Sequence, residues 1–240
     1  MVKASICTAN VISDQLARLA DPKIAQHSQR FFKTGKGEYG EGDQFLGIRV
    51  PPLRALAKEH QDIALLEVAK LLNSPFHESR LCAALLLVYK FSVADSVGRE
   101  AIYDFYLANT GAINNWDLVD CSAHHIVGGH LFDKERDLLC TMASSSVLWE
   151  RRIAMMATFY FIRHNQFSDA LSLAEQLLED KEDLIHKVVG WMLREIGKRD
   201  EGTEKRFLKT HYDKMPRTML RYAIEKFPAA ERKRYLAGTA

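Results

Sequence analysis

Apolar residues recur at the three-and-four spacing of an α-helix in six separate stretches of this chain. They are DIALLEVAKLLN (62–73), ESRLCAALLLVYKF (78–91), EAIYDFYLANT (100–110), VLWERRIAMMATFYFI (147–162), SDALSLAEQLLED (168–180) and DLIHKVVGWMLREIGK (183–198). No segment sustains the period-two alternation of a half-buried strand between hairpin turns. The chain is therefore expected to be all-α. Short breaks separate the helices, at Asn73-Ser74-Pro75, Thr110-Gly111, Gly128-Gly129, Ser144-Ser145-Ser146 and Asn165-Gln166. Breaks of that length suit antiparallel neighbours. No linker or change of composition divides the sequence, so residues 1–240 are expected to form one domain.

A repeat underlies the pattern. Laying 78–91 over 150–163 places Glu78 on Glu150 and Arg80 on Arg152, 72 residues apart. Trp116 lies midway, and the helix with Lys187 and Trp191 follows about one further period on. A period near 36 built of helix pairs predicts an α-solenoid of HEAT-like repeats, each unit burying its apolar face on the next. The concave face of a solenoid suits an extended ligand, and double-stranded nucleic acid has that shape.

With 47% hydrophobic and 27% charged residues, the chain has the composition of an ordinary globular protein. Its longest apolar run, AALLLVY (83–89), is far short of the roughly 20 residues of a membrane span. MVKASICTANVISDQ lacks the apolar core of a secretory signal, and a cytoplasmic location is expected. Cys7, Cys82, Cys121 and Cys140 form no CxxC pair, so reduced thiols are expected. His124, His125 and His130 lack helical ligand spacing, and neither HExxH nor GxSxG occurs. No metal site and no cofactor is expected. The net charge of +2 conceals an uneven distribution: residues 181–240 hold 15 lysines and arginines against 9 acidic residues. Those basic C-terminal helices are compatible with a phosphate-bearing partner, although solvated helix faces are often equally charged.

The most unusual stretch is NNWDLVDCSAHHIVGGH (114–130). Asn115 suits an N-cap, and Asp117 in the first turn complements the helix dipole. Val119, Ala123, Ile126 and Val127 form one apolar stripe. Trp116 projects within it, and Asp120 lies about 40° from Trp116 around the helix. A carboxylate beside a buried face needs a partner or a purpose. In LWERRIAMM (148–156), Ile153, Met156, Ala157 and Tyr160 continue an apolar face, which leaves Arg151 and Arg152 to point elsewhere. Arg152 suits either a carboxylate or a phosphate. A plain Asp–Arg bridge between repeats and a core tryptophan would leave the same traces.

Two further stretches stand out. In KVVGWMLREIGKR (187–199), Trp191 follows a helix-interior glycine, expected where a neighbour approaches the backbone closely. Arg194, Lys198 and Arg199 add a positive edge. FFKTGKGEYGEGDQFLGIRVPP (31–52) contains five glycines and a proline-marked helix start, but neither a Walker nor a dinucleotide fingerprint. Lys33, Lys36 and Arg49 beside the glycine-rich loop 34–44 could embrace a phosphate backbone, while Glu38, Glu41 and Asp43 argue against a dedicated anion cradle.

In this order, FFKTGKGEYGEGDQFLGIRVP, NNWDLVD, LWERR and GWMLREIGKR resemble the AlkD-type DNA alkylation repair proteins, HEAT-like repeat glycosylases, over roughly residues 25–200. The resemblance implies an active-site pair at Trp116 and Asp120, a functional arginine at Arg152 and a deoxyribose-contacting tryptophan at Trp191, with Arg194 beside it. It also implies DNA-facing positions at Phe31 and Arg49. The glycine-rich loop is an insertion relative to the familiar pattern.

The resemblance further implies a monofunctional DNA glycosylase acting on cationic N3- or N7-alkylated purines in duplex DNA. It implies that the duplex is held by its backbone, with no need for a base-binding pocket. Two other readings stay open. One is a non-catalytic module that binds distorted or branched DNA. The other is a helical protein–protein scaffold in which the tryptophan and aspartate are architecture. A solenoid of this size needs no partner for stability, and a monomer is expected.

Overall fold

The computed structural model describes residues 7–240, which form fourteen α-helices and no β-strand among the described residues. The chain has an all-α helical repeat fold. It divides into two compact units, residues 1–126 and 127–240. In the first, α1 (Ala9–Arg18), α2 (Pro22–Phe31), α3 (Val50–Glu59), α4 (Leu65–Leu72), α5 (His77–Val93), α6 (Ser96–Ala108) and α7 (Trp116–Ala123) follow in order. α5 is central and packs on α1, α3, α4, α6 and α7. Its apolar residues are buried almost all round, as expected of an inner helix.

The second unit contains α8 (Asp137–Ala143), α9 (Leu148–Arg163), α10 (Ser168–Gln176), α11 (Asp183–Gly197), α12 (Glu201–His211), α13 (Arg217–Ala223) and α14 (Ala229–Ala237). α9 packs on α8, α10 and α11, and α11 also packs on α12 and α13. Each helical stretch marked by periodicity is a helix here, with ends shifted by a few residues.

The repeat is visible in hydrogen bonds. Before α5, α9 and α11, the residues Ser74, Ser145 and Asp180 accept, through their side chains, the backbone N–H two residues on, at 3.2, 3.0 and 2.8 Å. Their carbonyls accept from the fourth residue of the following helix: Arg80 Nη1 at 2.9 Å, Arg151 Nη1 at 3.0 Å and His186 Nε2 at 2.5 Å. A side-chain turn thus sets the entry angle, and a helix side chain locks it. These bonds correct the sequence alignment by one residue, because Arg80 corresponds to Arg151 rather than to Arg152.

Two other expectations are corrected. Arg152 does not point away from the buried face: it is 4% exposed, and its Nη1 donates to the Leu184 carbonyl at 2.5 Å. Gly128-Gly129 is not a break. α7 runs on through a π-helical turn, His124–Gly128, and residues 129–130 are still helical. Gly128 is there for clearance, since a Cβ would stand 2.3 Å from the Ala157 carbonyl oxygen. Gly190 has the same reason and answers the expectation for it: a Cβ would meet the Met219 carbonyl oxygen at 2.3 Å, where α13 crosses α11.

Candidate functional site

The first unit brings Trp116 and Asp120 to one place. Asn115 caps α7 by accepting the Trp116 N–H at 2.8 Å. Val119, Ala123, Ile126 and Val127 are fully buried, as their stripe predicts. Trp116 and Asp120 at the margin of that stripe are half-buried. Both line a cavity of about 240 Å³ with Val50, Arg54, Leu81 and Asp117.

Trp116 is held in place by rings. Phe32 stacks on it at 5.2 Å between centroids and Phe31 meets it edge-on at 5.9 Å. Phe32 also stacks on Phe45 at 5.1 Å, and His77 lies 4.7 Å from Phe45. These rings border a second cavity of about 490 Å³, which also reaches Ile24, Ser28, Ile48 and Arg49. The two cavities share Val50, Leu81 and Asp117 in their walls.

Beneath the rings lies an ion network that the sequence reading missed. His77 Nδ1 donates to Asp43 at 3.0 Å and Nε2 donates to Asp117 at 2.8 Å. Arg80 Nη2 donates to the other Asp43 oxygen at 2.5 Å. Burial opposes the charged imidazole, but the hydrogen bonds and charges of Asp117 and Asp43 prevail and push His77 up to about 9. Burial likewise opposes ionised Asp43, yet His77 and Arg80 hold its carboxyl below the usual range. Asp117 therefore does more than complement a helix dipole: it joins the helix of Trp116 to α5.

The same network anchors the glycine-rich loop. Glu78 accepts the N–H groups of Leu46, Gly47 and Ile48 at 2.8, 2.8 and 3.1 Å. Gln44 exchanges backbone bonds with the entry to α5, receiving the His77 N–H at 2.8 Å. Inside the loop, Glu38 accepts the Gly35 N–H and Glu41 the Gly37 N–H. Those two N–H groups are thus occupied by the loop's own carboxylates. Phe31, Lys33, Lys36 and Arg49 are exposed, Phe31 to 59%. Arg49 stands at the N-terminus of α3.

The second unit positions the other candidates. Trp191 on α11 is half-buried, tilted against Phe159 at 6.0 Å, and its Nε1 donates to Glu195 at 3.2 Å. Lys198 donates to the same carboxylate at 2.5 Å. Arg194 is ion-paired with Glu225. Through Leu184, Arg152 ties α9 to the first turn of α11, the helix that carries Trp191.

A sequence profile of the DNA alkylation repair enzyme family matches residues 12–227. The chain belongs to this family. The match runs through both units and includes the positions of all the candidate residues. Among solved structures, the fold is similar to a predicted DNA alkylation repair enzyme from Enterococcus faecalis, with a TM-score of 0.66 at 16% identity over 88% of this chain and 97% of that one. It is also similar to smu.31 from Streptococcus mutans UA159, with a TM-score of 0.52 at 18% identity over 91% of this chain and 98% of that one. At such identities the likeness speaks for the fold alone. No curated protein matches the chain in sequence. None of the described helices is long and apolar enough to cross a membrane.

Proposed function

We propose that this family member is a monofunctional DNA glycosylase that hydrolyses the N-glycosidic bond of cationic N3- or N7-alkylated purines in duplex DNA. The observation that carries the reading is the shared cavity of Trp116 and Asp120, with the indole fixed by Phe31 and Phe32. An alkylated purine already carries positive charge and leaves readily. As its C1′–N bond breaks, the bonding electrons depart with the base and the deoxyribose gains oxocarbenium character. The Asp120 carboxylate stabilises that cation and orients water, whose oxygen bonds to C1′ while a proton passes to the carboxylate or to solvent. The Trp116 face adds cation–π attraction.

In the second unit, Trp191 is proposed to contact deoxyribose, its indole set by Glu195 and Phe159. Arg152 acts as a positioning residue, since its burial and its bond to Leu184 suit fixing α11 better than meeting a phosphate. Lys33, Lys36 and Arg49 are the exposed cations proposed to meet the phosphate backbone, with Arg194 and Lys198 contributing from α11. We further propose that the chain acts as a monomer in the cytoplasm and needs no cofactor.

The test is release of free base. Excess protein is incubated with a duplex carrying one N7-methylguanine, and free 7-methylguanine is followed against spontaneous depurination. Release well above the spontaneous rate supports the glycosylase. Release at the spontaneous rate, with tight binding to branched or distorted DNA, assigns the chain to the binding-module reading instead.

A further inference from the structure

The cavity of about 240 Å³ around Trp116 and Asp120 has one cation in its wall, Arg54, and the chemistry above makes no use of it. We infer that Arg54 binds the phosphate of the lesion nucleotide, the phosphodiester joined to the sugar that Asp120 addresses. The contact fixes that sugar against the carboxylate. The inference rests on the glycosylase reading and adds a substrate-binding residue to it.

The fold puts Arg54 there. On α3, Leu53, Leu56 and Ala57 are buried, while Val50 and Arg54, one turn apart, both border the cavity. α3 and α7 each pack on α5, whose buried Leu81 and Leu85 line the same cavity. Arg54 and Asp120 thus reach one cavity from two helices that share a neighbour. Arg54 itself is exposed, so a ligand can approach it from solvent.

The guanidinium is uncommitted. Asp117, in the same wall, is held by His77 at 2.8 Å and by the Leu118 N–H at 2.9 Å. Arg54 makes no hydrogen bond or ion pair among the described residues. Its charge is nonetheless felt on α7: burial pushes the Cys121 thiol up, helped by Asp117 and Asp120 and opposed by Arg54.

The reaction decides what such a cation takes. A guanidinium repels the cationic purine, which disfavours the base as its ligand. Alone beside Asp120 it would also oppose the oxocarbenium charge that the carboxylate favours. A phosphate cancels that opposition, and its two free oxygens fit the planar fork of an arginine. The phosphates on the 3′ and 5′ oxygens of the reacting sugar are the anions that arrive with it.

The test neutralises each partner in turn. Duplexes carry one N7-methylguanine with an uncharged methylphosphonate in place of its 5′ or its 3′ phosphate. Single-turnover release at saturating protein is measured for the parent, Arg54→Ala and Arg54→Lys. On the unmodified duplex, Arg54→Ala is expected to lower the rate about tenfold or more, and Arg54→Lys to recover part of the loss. One of the two methylphosphonates should slow the parent to a similar degree and have no further effect on Arg54→Ala. An unchanged rate in Arg54→Ala overturns the inference. So does a loss that persists in full on both methylphosphonate duplexes, the mark of a merely structural arginine. If the parent releases no base, affinity for the same duplexes is read instead. The same non-additivity in Kd then keeps Arg54 on its phosphate while the glycosylase reading fails; additive or absent effects overturn both.

Discussion

His77 donates to Asp117 at 2.8 Å, so a buried imidazolium on α5 is bonded to the residue next to Trp116 in sequence. Through its other nitrogen His77 holds Asp43, and with it the end of the glycine-rich loop. One side chain therefore sets the loop relative to the tryptophan helix within the first unit.

That arrangement predicts a pH dependence. The folded pKa of His77, about 9, lies above its ordinary 6.5. Its contribution to stability is complete below pH 6.5, declines above it and is lost as pH rises through 9. For Asp43, whose pKa is lowered, the sign is opposite, and its contribution fades as pH falls below the usual carboxylate range. Urea unfolding should show a loss of up to about 3 kcal/mol between pH 6.5 and 10 that His77→Asn abolishes. An equal loss in parent and variant would remove His77 as its source.

Gly190 gives a packing prediction. A methyl group there meets the Met219 carbonyl at 2.3 Å, and backbone on a packed helix has little room to retreat. Gly190→Ala is expected to lose about 2–3 kcal/mol despite the better helix propensity of alanine. A stabilised variant would show that α13 is free to move off α11.

Glu204 predicts a gain. It is 2% exposed and its Oε1 has no hydrogen-bond partner. Burial, helped by Glu201 and opposed by Arg194 and Lys205, pushes its pKa up to about 8. The folded chain keeps a proton that the unfolded chain releases, so this residue lowers stability progressively as pH rises from 4.5 to 8. Glu204→Gln should unfold at higher urea than the parent at pH 8, by roughly 1–2 kcal/mol, and show little difference at pH 4.5. Equal stability at pH 8 would contradict a buried, protonated carboxyl.

The helices were legible because burial imposes a period on local sequence, and the Trp116 stripe could be drawn from four residues. Arg152 was misplaced because the periodicity of α9 cannot show that a neighbouring carbonyl, that of Leu184, will satisfy a buried guanidinium. Gly128 looked like a break because a glycine needed for clearance and one needed for a turn are the same letter. The His77 network was not legible. Its partners Asp43 and Asp117 lie 34 and 40 residues away, and no spacing rule joins them. The available signal was slight: Asp43 stands near the end of the glycine-rich loop and His77 opens α5, with Glu78 and Arg80 noted only as repeat markers.

The central claim is that Asp120 carries the chemistry. Its most direct test compares single-turnover release of 7-methylguanine by the parent and by Asp120→Asn, with duplex affinity measured for both. The account predicts a rate at least about 100-fold lower in the variant at unchanged DNA affinity. Equal rates in the two proteins would contradict it.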